Sequence, residues 1–185
     1  MRNYLGRRVY HSWAGPELMA HGNRDSGQTV IRRGIALLRT WSAGGADSME
    51  VHRRAGLALL LYYAGDWDGC SAAWGNLERP RFLVEAPCPP WILAARHGDR
   101  AQADRLLAAY DSSVRSATPT VRIWAVVAHA RVAAILGDRD QAVAYLSQAV
   151  PTLGFEDMSI VPHIDIDFES LWAYPPLLEL MRPKD

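Results

Sequence analysis

The chain has 185 residues, 49% apolar and 22% charged, the balance of a folded protein long enough to bury a core rather than of a disordered one. Lys plus Arg number 20 and Asp plus Glu 20, so no global field draws in nucleic acid or an anionic membrane surface. Lys184 is the only lysine, and the excess of Arg and Ala reads as the bias of a GC-rich bacterial genome, not as recognition chemistry.

The opening "MRNYLGRRVYHSW" carries positive charge but lacks the apolar stretch of a signal peptide. The longest apolar run, "AGLALLLYYAG" at 55–65, is well short of the roughly 20 residues that cross a bilayer. Cys70 and Cys88 are too few for a disulfide framework and lack metal-finger spacing; free, buried thiols in a reducing compartment are the simplest expectation. A cytoplasmic protein follows from these readings.

In chain order, Gly22-Asn23 is the first hinge between helical stretches, and "SAGGADS" at 42–48 is a turn. Val51, Ala55, Ala58, Leu59, Tyr62 and Tyr63 then recur with a period near 3.6, one broad face of a helix. The pattern restarts after Gly65-Asp66 with Trp67, Cys70, Trp74 and Leu77, and Pro80 closes the unit. "APCPP" at 86–90 delays the next helix, because a proline ring inside a helix removes a bond and clashes with the preceding turn. Trp91, Ala94 and Ala95 precede Gly98-Asp99; Ala103, Leu106, Leu107 and Tyr110 follow it. Thr118 or Ser116 ahead of Pro119 suits a helix start. "AAILGDRDQAVAYLSQAV" at 133–150 is two helical pieces hinged at Gly137-Asp138. Only "SIVPHIDIDF" alternates like a strand, and briefly, so the chain is expected to be all-α.

The four hinges lie at intervals of 43, 33 and 39 residues. Five residues past each hinge glycine stands a small residue: Gly27, Cys70, Ala103 or Ala142. Nine past stands a large apolar one: Ile31, Trp74, Leu107 or Leu146. Seven before stand Gly15, Ala58 and Ala130, with Trp91 the exception. Two antiparallel helices joined by a tight turn need small residues where they cross, a glycine in the left-handed conformation to end the first, and Asp or Asn to cap the second. Self-similarity at such a period is the mark of a repeat array.

On Ala130, Gly137-Asp138, Ala142, Leu146 and Ala149, and on Ala58, Gly65-Asp66-Trp67, Cys70 and Trp74, the chain resembles the tetratricopeptide repeat (TPR) family. Departures are Trp91 at a normally small position, Pro16 inside the first leading helix, and the missing closing proline. The resemblance implies a right-handed α-solenoid of antiparallel helix pairs in a single domain over 1–185, with units at about 8–41, 50–79, 89–114 and 119–151 and a cap at 165–182. "HIDIDFESLWAYPPLLELM" resembles the endings of TPR-like tails of bacterial kinases, cyclases and transcription regulators, in which a short Leu-rich helix closes the array. Whether the chain is a whole small protein or a detached regulatory tail stays open.

What the resemblance implies for function is a non-enzymatic module binding a protein or peptide along the groove lined by each unit's first helix. Carried onto this chain, the groove residues are Tyr62, Tyr63, Ile92, Arg96, Trp124, Val127 and Arg131, aromatic bodies with arginine heads. No cofactor, metal, nucleic acid or membrane is implied, and self-association stays open. The alternative is a metal-dependent enzyme or small-ligand binder using His163, Asp165, Asp167 and Glu169, which share one side if the segment is extended. Against it, the same residues read as a solvated turn leading into the cap. His129 reads as packed or partly exposed rather than catalytic, because no nucleophile is placed beside it by spacing.

Overall fold

The computed structural model describes residues 14–41, 47–75, 87–153 and 162–182, and among these all regular structure is helical, as expected. Two compact units result, Met1–Pro89 and Pro90–Asp185, their boundary inside the proline cluster. The first holds α1 (14–20), α2 (Arg24–Thr40), α3 (Asp47–Ala64) and α4 (Trp67–Trp74). The second holds α5 (Pro90–Arg96), α6 (Arg100–Val114), α7 (Pro119–Ile135), α8 (Arg139–Leu153), a 3-10 helix (Ile166–Leu171) and α9 (Pro175–Leu180). Leu77, Pro80, most of the 42–48 turn and the start of the first repeat lie outside the described residues.

The four hinges share one hydrogen-bond pattern. Each hinge glycine donates to the carbonyl three residues back and the next residue donates to the carbonyl five back, as in Gly137 to Ala134 (3.2 Å) and Asp138 to Ala133 (2.8 Å). This double bond closes a helix only when the glycine takes positive φ, and Gly22, Gly65, Gly98 and Gly137 all do, between 76° and 86°. The second helix is then capped by Asp66, accepting from Gly69 N, and by Asp99, accepting from Gln102 N. The other two hinges differ: Asn23 makes no side-chain cap, and the Asp138 carboxylate accepts from Arg100 at 2.6 Å. Thr118 caps α7 with Pro119 at its start, as the sequence suggested.

Consecutive helices flanking a hinge pack together, α3 on α4, α5 on α6 and α7 on α8. The small residues after the hinges are all buried: Gly27, Cys70, Ala103 and Ala142. Their large partners Ile31, Leu107 and Leu146 are buried with them, while Trp74 is half-buried. In the first pair a Cβ on Gly27 would stand 2.6 Å from the Gly15 carbonyl oxygen, and one on Gly15 would stand 2.6 Å from Ile31 Cγ1, so both glycines are set by the close approach of α1 and α2. Trp91 breaks the small-residue rule because α5 is short and its ring stacks on Tyr110 of α6, centroids 4.6 Å apart.

In the second unit Phe168 and Leu171 of the 3-10 helix and Leu177 of α9 join one core with Val127, Ala130, Ala134, Ala142, Leu146 and Ala149. The extended path on which His163, Asp165, Asp167 and Glu169 would share one side is not taken: a turn and a 3-10 helix pack apolar side chains inward.

The cysteine expectation is corrected. Cys70 and Cys88 form a disulfide, their Cα atoms 6.5 Å apart and within bridging range. Nothing in an 18-residue separation showed that α4 and the proline cluster meet. The inference from free thiols to a reducing compartment therefore loses its basis.

Two outcomes follow from this packing. Gly27→Ala lowers unfolding stability by about 1–3 kcal/mol in urea denaturation, against the gain of up to about 1 kcal/mol that alanine brings to an open helical site. Cys88→Ser, or reduction of the native chain, lowers it by about 3 kcal/mol through loss of loop closure, and alkylation followed by mass measurement labels neither cysteine before reduction and both after it.

Candidate functional site

The most polar feature of the second unit's core is Asp167, whose side chain is fully buried. Arg96, from the last turn of α5, donates through Nη2 to Asp167 Oδ1 at 2.6 Å and to the Ile166 carbonyl at 3.2 Å. Arg131, midway along α7, donates through Nε to Asp167 Oδ2 at 2.5 Å and lies 3.7 Å from Asp165 Oδ2. Both carboxylate oxygens are thus held by guanidinium groups from separate helices, the arrangement that keeps a buried charge from being ruinous. Asp165 Oδ1 accepts from Asp167 N at 3.0 Å and so starts the 3-10 helix. Ser170 Oγ donates to Ala134 O at 2.9 Å, and Tyr174 is hydrogen-bonded to Asp140 of α8 while Arg139 lies over its ring. A pocket of about 250 Å³ opens beside the cluster, lined by Arg96, Ile135, Ile166, Asp167, Glu169 and Ser170 among others.

The electrostatics separate the two aspartates. Burial pushes the Asp165 carboxyl above the ordinary aspartate range, and the Asp167 carboxylate adds to this while Arg131 opposes it. His163, two residues earlier, is exposed. A cation at this segment would meet two guanidinium groups, and among the described residues no three His, Cys, Asp or Glu side chains converge as metal ligands would. The segment is not a solvated turn either, since Asp167 is buried and Phe168 and Leu171 are core residues.

The seven groove residues carried over from the resemblance separate into three groups. Tyr62, Ile92 and Val127 are buried to 3% exposure or less within their own units, which makes them packing residues. Arg96 and Arg131 meet at Asp167. Tyr63 and Trp124 are half-buried; Trp124 lies at the edge of the second unit's core, and the Tyr63 ring makes an edge contact with Tyr62.

A second concavity, of about 390 Å³, lies between α6 and α7. Asp111 and Val114 of α6 and Ala125, Val126 and His129 of α7 line it, with Arg115 and Arg122 also in its wall. Asp111 Oδ2 accepts from His129 Nε2 at 2.9 Å, and the His129 ring lies 5.2 Å from that of Tyr145. His129 is half-buried, and among the described residues no hydroxyl or thiol lines the groove with it.

Comparison with protein-family models, with curated proteins and with solved structures yields no match. Sequence reasoning singled out Asp167 and Arg131 but did not join them. One signal was available. Arg131 stands among Ala128, Ala130, Val132, Ala133 and Ala134, and an arginine on so apolar a stretch needs a counterion from elsewhere in the chain. The Asp111–His129 pair left no such trace, as both are ordinary residues for exposed helix faces.

The two aspartates respond oppositely to neutralisation. Asp167→Asn removes the buried carboxylate that two part-buried guanidinium groups share and lowers stability by about 3–5 kcal/mol. The native Asp165 carboxyl holds its proton to higher pH than the unfolded chain does. It therefore favours the native state below the unfolded value of about 3.9, and that contribution is lost as pH rises through the raised native value. Asp165→Asn, which keeps the capping oxygen, accordingly unfolds at higher urea than the native chain at neutral pH and loses this advantage near pH 4. Paired urea titrations at the two pH values measure both effects.

Proposed function

We propose that this chain is a non-enzymatic protein-interaction module, its helix pairs stacked as a TPR-like right-handed α-solenoid, binding a protein or peptide partner. One observation carries the reading: the same hinge geometry, with a buried small residue five positions after the glycine, occurs four times, and the large residue nine positions after it is buried in three of the four. Such arrays exist to present surface. The chemistry that favoured an enzyme or metal site is used internally, since Asp167 pairs with Arg131 and Arg96 and holds the closing segment to α5 and α7, and Asp165 caps the 3-10 helix. Two residues of the carried-over set, Tyr63 and Trp124, keep part of their surface outside the cores.

The expected result with the tagged full chain is saturable capture of a discrete partner from the native host, reduced about fivefold or more by Tyr63→Ala combined with Trp124→Ala in a protein whose melt is unchanged. Full retention by that variant removes these two residues from the binding surface. Absence of any saturable partner for the native chain removes the interaction reading itself.

A further inference from the structure

The arginines of the second unit divide sharply by what they touch. Arg96 and Arg131 hold Asp167, Arg100 pairs with Asp138, Arg105 donates to Gln102, Arg139 lies over the Tyr174 ring, and Arg182 pairs with Glu179. Arg115 and Arg122 are exposed and have no acidic partner among the described residues, and both border the groove between α6 and α7. The nearest carboxylate in that groove, Asp111, is engaged by His129.

Helix electrostatics sharpen the contrast. Arg122 is in the first turn and a half of α7, where exposed backbone N–H groups already give positive potential and a cation weakens the helix. That turn contains no acidic residue to offset it. Folding alone thus gives no reason for the arginine there, whereas an anion bound alongside would meet Arg122, Arg115 and the helix terminus together. Between them Val114, Ala125 and Val126 line the groove with apolar surface, and the His129 ring in its wall is already hydrogen-bonded to Asp111 and set beside the Tyr145 ring.

We infer that the α6–α7 groove docks an acidic segment of a partner protein, with its Asp or Glu carboxylates on Arg115 and Arg122 and its intervening apolar side chains on Val114, Ala125 and Val126. The fork geometry of guanidinium matches carboxylate bidentately, and charge complementarity at a groove rim sets both the orientation and the rate of docking. The inference rests on the interaction reading above and specifies the chemistry of the partner.

The test uses the full chain and a short fluorescein-labelled peptide of alternating Glu-Glu and Leu-Val pairs, read by fluorescence anisotropy. Saturable binding is expected, weakening as salt is raised. Arg115→Glu with Arg122→Glu weakens it about tenfold or more, as does replacing the peptide's Glu by Gln. Arg32→Glu with Arg33→Glu, on exposed positions of α2, carries the same charge change and leaves binding within about twofold. Should the charge reversal lower the melting temperature, Arg115→Gln with Arg122→Gln replaces it, with about a threefold weakening expected. Equal loss in the α2 control, equal binding of the Gln peptide, or competition by oligouridylate as effective as that of unlabelled peptide overturns the proposal. If partner capture from the native host survives the groove substitutions undiminished, the groove assignment fails while the interaction reading stands; if the native chain captures nothing, the reading itself fails.

Discussion

Two helices joined through a hinge of two or three residues must pass within a side chain's width of each other, and most of this structure depends on meeting that constraint. A hinge glycine at positive φ turns the chain back, and a residue with little or no side chain five positions later lets the second helix approach. At Gly15 and Gly27 the approach leaves no room even for a methyl group. At Ala103 and Ala142 a methyl group fits and fills the space, and at Cys70 the small position carries a sulfur that extends to Cys88. The same backbone solution thus tolerates different fillings, which explains why the repeat is visible as a set of offsets and hardly at all as a consensus.

Packing pairs of helices leaves the last pair with an uncovered apolar side, and here the second buried interaction enters. Phe168, Leu171 and Leu177 supply the apolar cover for α7 and α8, but apolar cover alone does not fix register. The Asp167 carboxylate does, because its two oxygens are matched to donors from two separate helices, and a displaced 3-10 helix would separate this buried charge from both of its part-buried guanidinium partners. Two of the arginines that a groove-binding module would present to a partner are consequently committed to the chain's own end. Under the proposed interaction reading, surface for a partner lies where the side chains are not already engaged.

The sequence made the helices and hinges legible because both depend on local rules: periodicity near 3.6, left-handed glycine, and Asp or Thr at the cap. Ala130, Ala142 and Leu146 are buried where the offsets placed them. What stayed hidden is non-local. The Cys70–Cys88 bridge joins residues 18 positions apart, and the Arg96–Asp167 contact spans more than 70 positions. Tyr62, Ile92 and Val127 were expected at a groove and lie in cores, because periodicity identifies an apolar face but not which neighbour covers it. His163 to Glu169 appeared to share a side only on the assumption of an extended backbone, and the 3-10 helix over Ile166–Leu171 removes that assumption.

The arginines show how a compositional bias can be separated from chemistry. With a single lysine in the chain, the presence of arginine at a position carries little information, since almost any required cation would be arginine. Its partnership carries more. Arginines serving the fold are found on carboxylates, amides or rings, as Arg96, Arg131 and Arg139 are, and Arg54 donates to the carbonyls of Ala73 and Trp74 at the end of α4. A guanidinium in a concave wall without such a partner keeps its hydrogen-bonding capacity for water or for another molecule. Where one of the pair also opposes the helix that carries it, as Arg122 does, the balance of local forces favours an anionic occupant of the groove over a purely structural role.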